Sequence, residues 1–167
     1  WAKDRTGVYA SNGAILSVVA RSRPGAPSPD LFLYCLLGRF EGYFPGYSSL
    51  LAENPNCLTW VVLKAHTNNT AGEVTLRSAD PRVPPAINFR YFDEGNDARH
   101  EDIQGVAAGV RLARTLTAPL VQQGLITREE LPGPDYDNDT LEDFYRDRAW
   151  GQHASCSCPI GDPACGG

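Results

Sequence analysis

Leu58-Thr59-Trp60-Val61-Val62-Leu63-Lys64 leads through a turn-rich stretch, His66–Gly72, into Glu73-Val74-Thr75-Leu76-Arg77. The first segment is rich in β-branched and aromatic residues, which fit a pleated, half-buried surface. The last alternates polar and apolar residues, as a strand with one wet face does. A connection this short favours antiparallel pairing. After the Pro-rich loop Ser78–Pro85, Ala86-Ile87-Asn88-Phe89-Arg90-Tyr91 reads as a further strand.

Upstream, Ala14–Ala20 has strand character behind a Ser11-Asn12-Gly13 turn signal, and Val8-Tyr9-Ala10 has it more briefly. Arg23–Pro29 holds three prolines and a glycine and reads as a surface loop. Asp30–Leu37 is a continuous apolar run of strand length, which predicts a strand buried on both faces, with Cys35 a core thiol. Gly38–Tyr47 sets four aromatics among three glycines and a proline, without periodicity. Such a segment either lines a pocket or packs onto its own core.

Downstream the period changes. Ile103, Val106, Val110, Leu112, Ala113 and Leu116 recur at helical spacing. Asp97 is the expected N-cap, with Glu101 and Asp102 where the helix dipole favours acids. Leu120–Gly124 reads as a separate short piece, and Leu131-Pro132-Gly133-Pro134 breaks the chain. Asp139 or Thr140 caps an expected last helix, Leu141–Trp150. Strands precede helices, which predicts one α+β domain over residues 1–167, its sheet mostly antiparallel and its helices on one face.

Composition excludes some functions. Net charge is −5 with acids and bases mixed, so there is no basic stripe for nucleic acid. The longest apolar run, near Leu31–Leu37, is far too short for a membrane segment. Trp1 is not an initiator and the chain has no methionine, so a piece cut from a longer protein at both ends is expected. Five cysteines form no familiar disulfide framework, and the expectation is a reducing, cytoplasmic compartment.

Chemistry concentrates in His153-Ala154-Ser155-Cys156-Ser157-Cys158-Pro159-Ile160-Gly161, which holds one of three histidines and two of the cysteines. A histidine leaving a helix among small residues can have its ring free, and imidazole suits proton transfer near neutral pH. This stretch resembles the C-terminal pattern of the glucose–methanol–choline oxidoreductases: His, two variable residues, then Gly-Thr-Cys-Arg-Met-Gly. His153, Cys158 and Gly161 match directly and Ser157 stands for the threonine. Cys156, Pro159 and Ile160 depart from the glycine, arginine and methionine. Asn69–Pro81 is similar to the family's strand ending in Ser-x-Asp-Pro, and Pro85–Phe92 to its Pro-x-Ile-x-x-x-Tyr-Phe segment. The helix carrying Gly105, Gly109, Val110 and Arg111 and the loop Leu131–Pro134 follow in the family's order.

The resemblance implies the substrate-binding region of an FAD-dependent alcohol oxidoreductase. In it His153 acts as general base on a small-molecule alcohol while hydride passes to flavin N5. No Gly-x-Gly-x-x-Gly follows a strand, so the FAD-binding domain is expected elsewhere in a parent chain. This polypeptide alone is expected to bind no FAD and to be inactive, and its flavin-contact residues are not assigned. Two other classes stay open: a metal or redox-thiol module built from His153, Cys156, Cys158 and Cys165, and a stand-alone small-molecule binding domain. Against the first, Cys-x-Cys is a poor chelate spacing and no second cysteine pair exists.

Overall fold

The computed structural model describes residues 3, 4, 6, 12–151, 153 and 160–165. The segment Val8-Tyr9-Ala10 and the cysteines Cys156 and Cys158 lie outside the described residues.

Strands β1 (Ala14–Ala20), β2 (Leu31–Leu37) and β3 (Leu58–Lys64) form an antiparallel sheet in the order β1-β2-β3. Leu33 lies between Val18 and Val62 in the registers, and Cys35 pairs with Trp60. Strands β4 (Glu73–Thr75) and β5 (Ala86–Asn88) pair antiparallel in a second, two-stranded sheet of their own. Three helices complete the fold: α1 (Tyr47–Glu53), α2 (Glu101–Gln122) and α3 (Leu141–Arg148). The fold class is therefore α+β with antiparallel sheets, as the order of patterns predicts.

Helix α2 lies across one face of the larger sheet. Leu31, Leu33 and Ala113 are buried there, with Val18, Trp60, Val62 and Leu112 around them. Close approach depends on two glycines. A Cβ at Gly109 would collide with Val62 Cγ1, and one at Gly105 would stand 2.6 Å from Lys64 Cε. On its other side α2 packs against α3, through Ile103, Ala107, Leu141 and Tyr145.

Five expectations need correction. The short connection from β3 to β4 does not pair them: the chain leaves the first sheet, and β4 pairs with β5 instead. Strand β2 is not buried on both faces: Leu31, Leu33 and Cys35 are buried under α2, whereas Phe32 is exposed on the opposite face. The apolar run fits a two-sided burial, but α2 covers only one side among the described residues. Helix α2 starts at Glu101, behind a left-handed His100, and not at Asp97. Asp97 still serves the helix start, because its Oδ2 accepts the Asp102 N–H at 2.8 Å. The piece at Leu120 is no separate element: α2 continues through Pro119 to Gln122. Proline removes one N–H from the ladder, and near a helix end that loss is tolerated. Helix α3 ends at Arg148, before Trp150, and α1 was not expected at all.

Beside the α2 N-terminus lies a buried polar cluster. Lys64 Nζ stands 3.3 Å from Asp30 Oδ2 and 3.8 Å from Asp102 Oδ1. It also donates to the Ala65 carbonyl at 2.6 Å. Asp102 accepts the backbone N–H groups of Asn68 and Asn69, at 2.9–3.0 Å. Asp30 accepts the N–H and the hydroxyl of Ser22 at 2.7 and 2.6 Å. Burial pushes the Asp30 carboxyl up, but the bonds from Ser22 and the ammonium of Lys64 outweigh it and hold it below the ordinary carboxylate range.

Candidate active site

Helix α3 is the platform from which the chain reaches His153. Leu141 and Tyr145 bury its inner face against α2. Its last turn carries Arg146, whose Nε donates to Asp93 Oδ2 at 2.8 Å and ties the helix to the 3-10 turn Phe92–Glu94. At Ala149 the backbone turns extended. Trp150 and His153 are both exposed, and they stand on the rim of a large cavity.

That cavity has a volume of about 2210 Å³. It is bordered by β3, by the loop after it, by residues 125–132 and by the segment leading to His153. Its lining is mainly apolar, with Phe40, Trp60, Phe89, Tyr91 and Trp150 on its walls. Drug-sized ligands fill roughly 300–1,000 Å³, so a small molecule occupies only a part of this space.

Two loops distant in sequence grip the residues before His153. From one side comes Gly38–Tyr47. Phe40 and Tyr43 meet the Trp150 indole edge-on, with centroids at 6.4 and 5.9 Å, and Tyr47 packs on both of them. A Cβ at Gly42 would lie 3.6 Å from the Trp150 ring. The aromatic loop is thus both things its composition allows: it packs on itself, and it lines the cavity.

From the other side comes Tyr91. Its ring stacks on Phe89 at 5.3 Å and 12°, and it sits between Arg90 and Phe92, both left-handed at φ 47° and 51°. Such backbones are uncommon for residues with a side chain and need support. Asn69 supplies it: its Nδ2 donates to the Phe89 and Arg90 carbonyls, and its Oδ1 accepts from Ala71 and Asn96. Burial pushes the Tyr91 phenol up, so the hydroxyl stays neutral at physiological pH.

Sequence reasoning brought His153 to attention, but not Tyr91, Trp150 or Asn69. Each sits inside or beside a stretch with an evident structural role, and only the fold brings these stretches together. His66 follows β3 with φ 52° and borders the same cavity, whereas His100 is an exposed helix-start residue. Among the described residues no group of three His, Cys, Asp or Glu side chains is placed to hold a metal ion.

The residues present do not fit the phosphates of FAD. The closest thing to a strand, a Gly-rich turn and a helix is β2, residues 38–46 and α1. There Gly38 backs onto Leu51 and Gly42 onto Trp150, so the space over both glycines is taken by side chains and leaves no anion cradle. The Tyr47 and Ser49 N–H groups are already bonded to Phe44 and Gly46.

Fold and site together define an α+β domain with an apolar-walled cavity and a histidine at its rim. Residues 68–166 match the model of the C-terminal region of the GMC oxidoreductase family, and the chain belongs to that family. Relatives extend the similarity upstream. Oxygen-dependent choline dehydrogenase of Paraburkholderia phymatum is 29% identical over 96% of this chain and 27% of its own length. The protein of the same description from Yersinia pestis is 29% identical over 97% of this chain and 27% of its own length. That of Serratia proteamaculans is 34% identical over 54% of this chain and 16% of its own length. The chain spans about a quarter of the length of the longer-matching relatives. Among the described residues no helix is long and apolar enough to cross a membrane.

Proposed function

We propose that this chain is the substrate-binding part of an FAD-dependent alcohol oxidoreductase and that His153 is its general base. One observation carries the reading: the histidine of the family motif stands at the rim of an apolar, aromatic-walled cavity, just past the point where two loops converge. The relatives are named for choline dehydrogenation, which makes a small alcohol the substrate class.

His153 accepts the hydroxyl proton as the carbinol C–H bond breaks and the carbon–oxygen double bond forms. An alkoxide-like carbon releases hydride far more readily than a neutral alcohol, so a base at the hydroxyl lowers the barrier. FAD, held by another part of the parent protein, supplies the hydride acceptor when bound. The aromatic wall offers apolar surface to the carbon skeleton of the alcohol beside the imidazole.

The test is anaerobic stopped-flow reduction of the full-length flavoprotein by its alcohol. His153→Ala is expected to slow reduction on the order of 10²–10⁴-fold with little change in alcohol binding, because the base acts on a proton that moves in the transition state. His66→Ala and His100→Ala are the controls and keep most of the rate. A His153→Ala enzyme that reduces its flavin at the wild-type rate refutes the assignment.

A further inference from the structure

Gly151 is two residues before His153, and an ideal Cβ placed on it would lie 2.7 Å from the Tyr91 hydroxyl oxygen but 3.9 Å from Cζ of the same ring. The first distance is impossible without movement; the second is ordinary contact. The hydroxyl alone therefore fills the space that a side chain at position 151 would need. The ring behind it cannot easily yield. It is stacked on Phe89, and its neighbours Arg90 and Phe92 are held in left-handed conformations by the Asn69 amide. Arg146 links the same turn to α3 through Asp93. On the opposite side Trp150 is blocked by Phe40, Tyr43 and Gly42.

We infer that Tyr91 and Gly151 position His153 together: the Tyr91 hydroxyl fills the space beside Gly151, so only a residue without a side chain fits there, and the aromatic loop Gly38–Tyr47 packs on Trp150 from the other side. The inference rests on the reading of His153 as the base. Tyr91 acts through the backbone at Gly151 and takes no proton itself. A misplacement of about 1 Å at a reacting group can cost on the order of 10²-fold in rate. The segment it holds is exposed, so moving it changes stability little.

Four variants of the full-length flavoprotein test this: Gly151→Ala, Tyr91→Phe, the double variant and His153→Ala. Gly151→Ala is expected to slow flavin reduction at saturating alcohol on the order of 10²-fold. Tyr91→Phe alone is expected to cost less than about tenfold, and the double variant to return to the Tyr91→Phe rate, because the Cβ then meets only Cζ. The alcohol concentration for half-saturation stays within about threefold throughout. A second readout needs no flavin. In the 167-residue chain labelled at its three histidines, the NMR signal of His153 moves with Gly151→Ala and returns in the double variant. Those of His66 and His100 stay in place, and Tm changes by less than about 2 °C, at most about 1 kcal/mol for a chain of this size. Additive effects of the two substitutions, or an unmoved His153 signal, overturn the inference even if His153→Ala is inactive. If His153→Ala reduces flavin normally while the signal shift and its reversal are seen, the catalytic reading fails and the positioning geometry stands.

Discussion

Replacing Lys64 by methionine removes the only ammonium from a buried cluster of carboxylates and keeps most of the side-chain volume. The Lys64 side chain is 8% exposed, and those of Asp30 and Asp102 are 11% and 9% exposed. At separations of 3.3 and 3.8 Å the two attractions are each roughly 4–5 kcal/mol at an effective dielectric constant near 20. Most of that is offset by the cost of taking the charges out of water. Removing one partner of a buried pair costs about 3–5 kcal/mol, because the charge left behind has lost its counterion. Here neither carboxylate is left without hydrogen bonds, since Ser22 keeps Asp30 and the Asn68 and Asn69 N–H groups keep Asp102. The lower end, about 3 kcal/mol, is therefore expected, which lowers Tm by about 6–12 °C in a chain of this size. The assay is urea unfolding followed by circular dichroism at pH 7, repeated down to pH 3. The Asp30 carboxyl is held below its unfolded value, so its contribution is present above the ordinary carboxylate pKa and lost as pH falls through the folded one. Without Lys64 that depression shrinks, and the acid unfolding midpoint moves to higher pH. A loss below about 1 kcal/mol at pH 7, with an unchanged acid midpoint, would show that the cluster is held by its neutral hydrogen bonds alone.

Gly109→Val should unfold the chain or cost more than about 3 kcal/mol, since even a first methyl collides with Val62 and the sheet cannot retreat; thermal melting reads this directly. Tyr145→Phe should change stability by less than about 0.5 kcal/mol, because its buried hydroxyl has no hydrogen-bond partner among the described residues; a larger loss in urea would reveal one. Burial pushes the Cys35 thiol up, so alkylation of Cys35 at pH 8, followed by mass spectrometry, should be slow until the chain unfolds. Purified alone, the 167-residue chain should carry no flavin absorbance, and a yellow protein would contradict the phosphate-site argument.

Much of the fold was legible locally. The runs at Leu31 and Leu58 are strands with nearly the expected bounds, and the recurrence of Ile103, Val106 and Val110 did mark a helix. Where the reading failed, a local signal met a tertiary one. Leu120–Gly124 reads as a separate piece, but α2 runs on through Pro119 to Gln122. The apolar run of β2 reads as buried on both faces, but which faces are covered is decided by what lies above them, and Phe32 is open. Helix α1 follows a loop of aromatics with no helical period and no side-chain cap, so no pattern announced it.

The candidate site divides in the same way. Residue chemistry and short-range order are carried along the chain, so the sequence by itself determined the antiparallel α+β class, the family and the histidine at position 153. Proximity between residues about 60 and 110 positions apart is not carried along the chain. That the Tyr91 hydroxyl occupies the Cβ space of Gly151, and that Gly42 lies under Trp150, follows only once α3 is buried against α2 and Asn69 has locked the turn at Tyr91. Those contacts belong to the tertiary structure, because each depends on elements whose positions are set by burial across the whole domain.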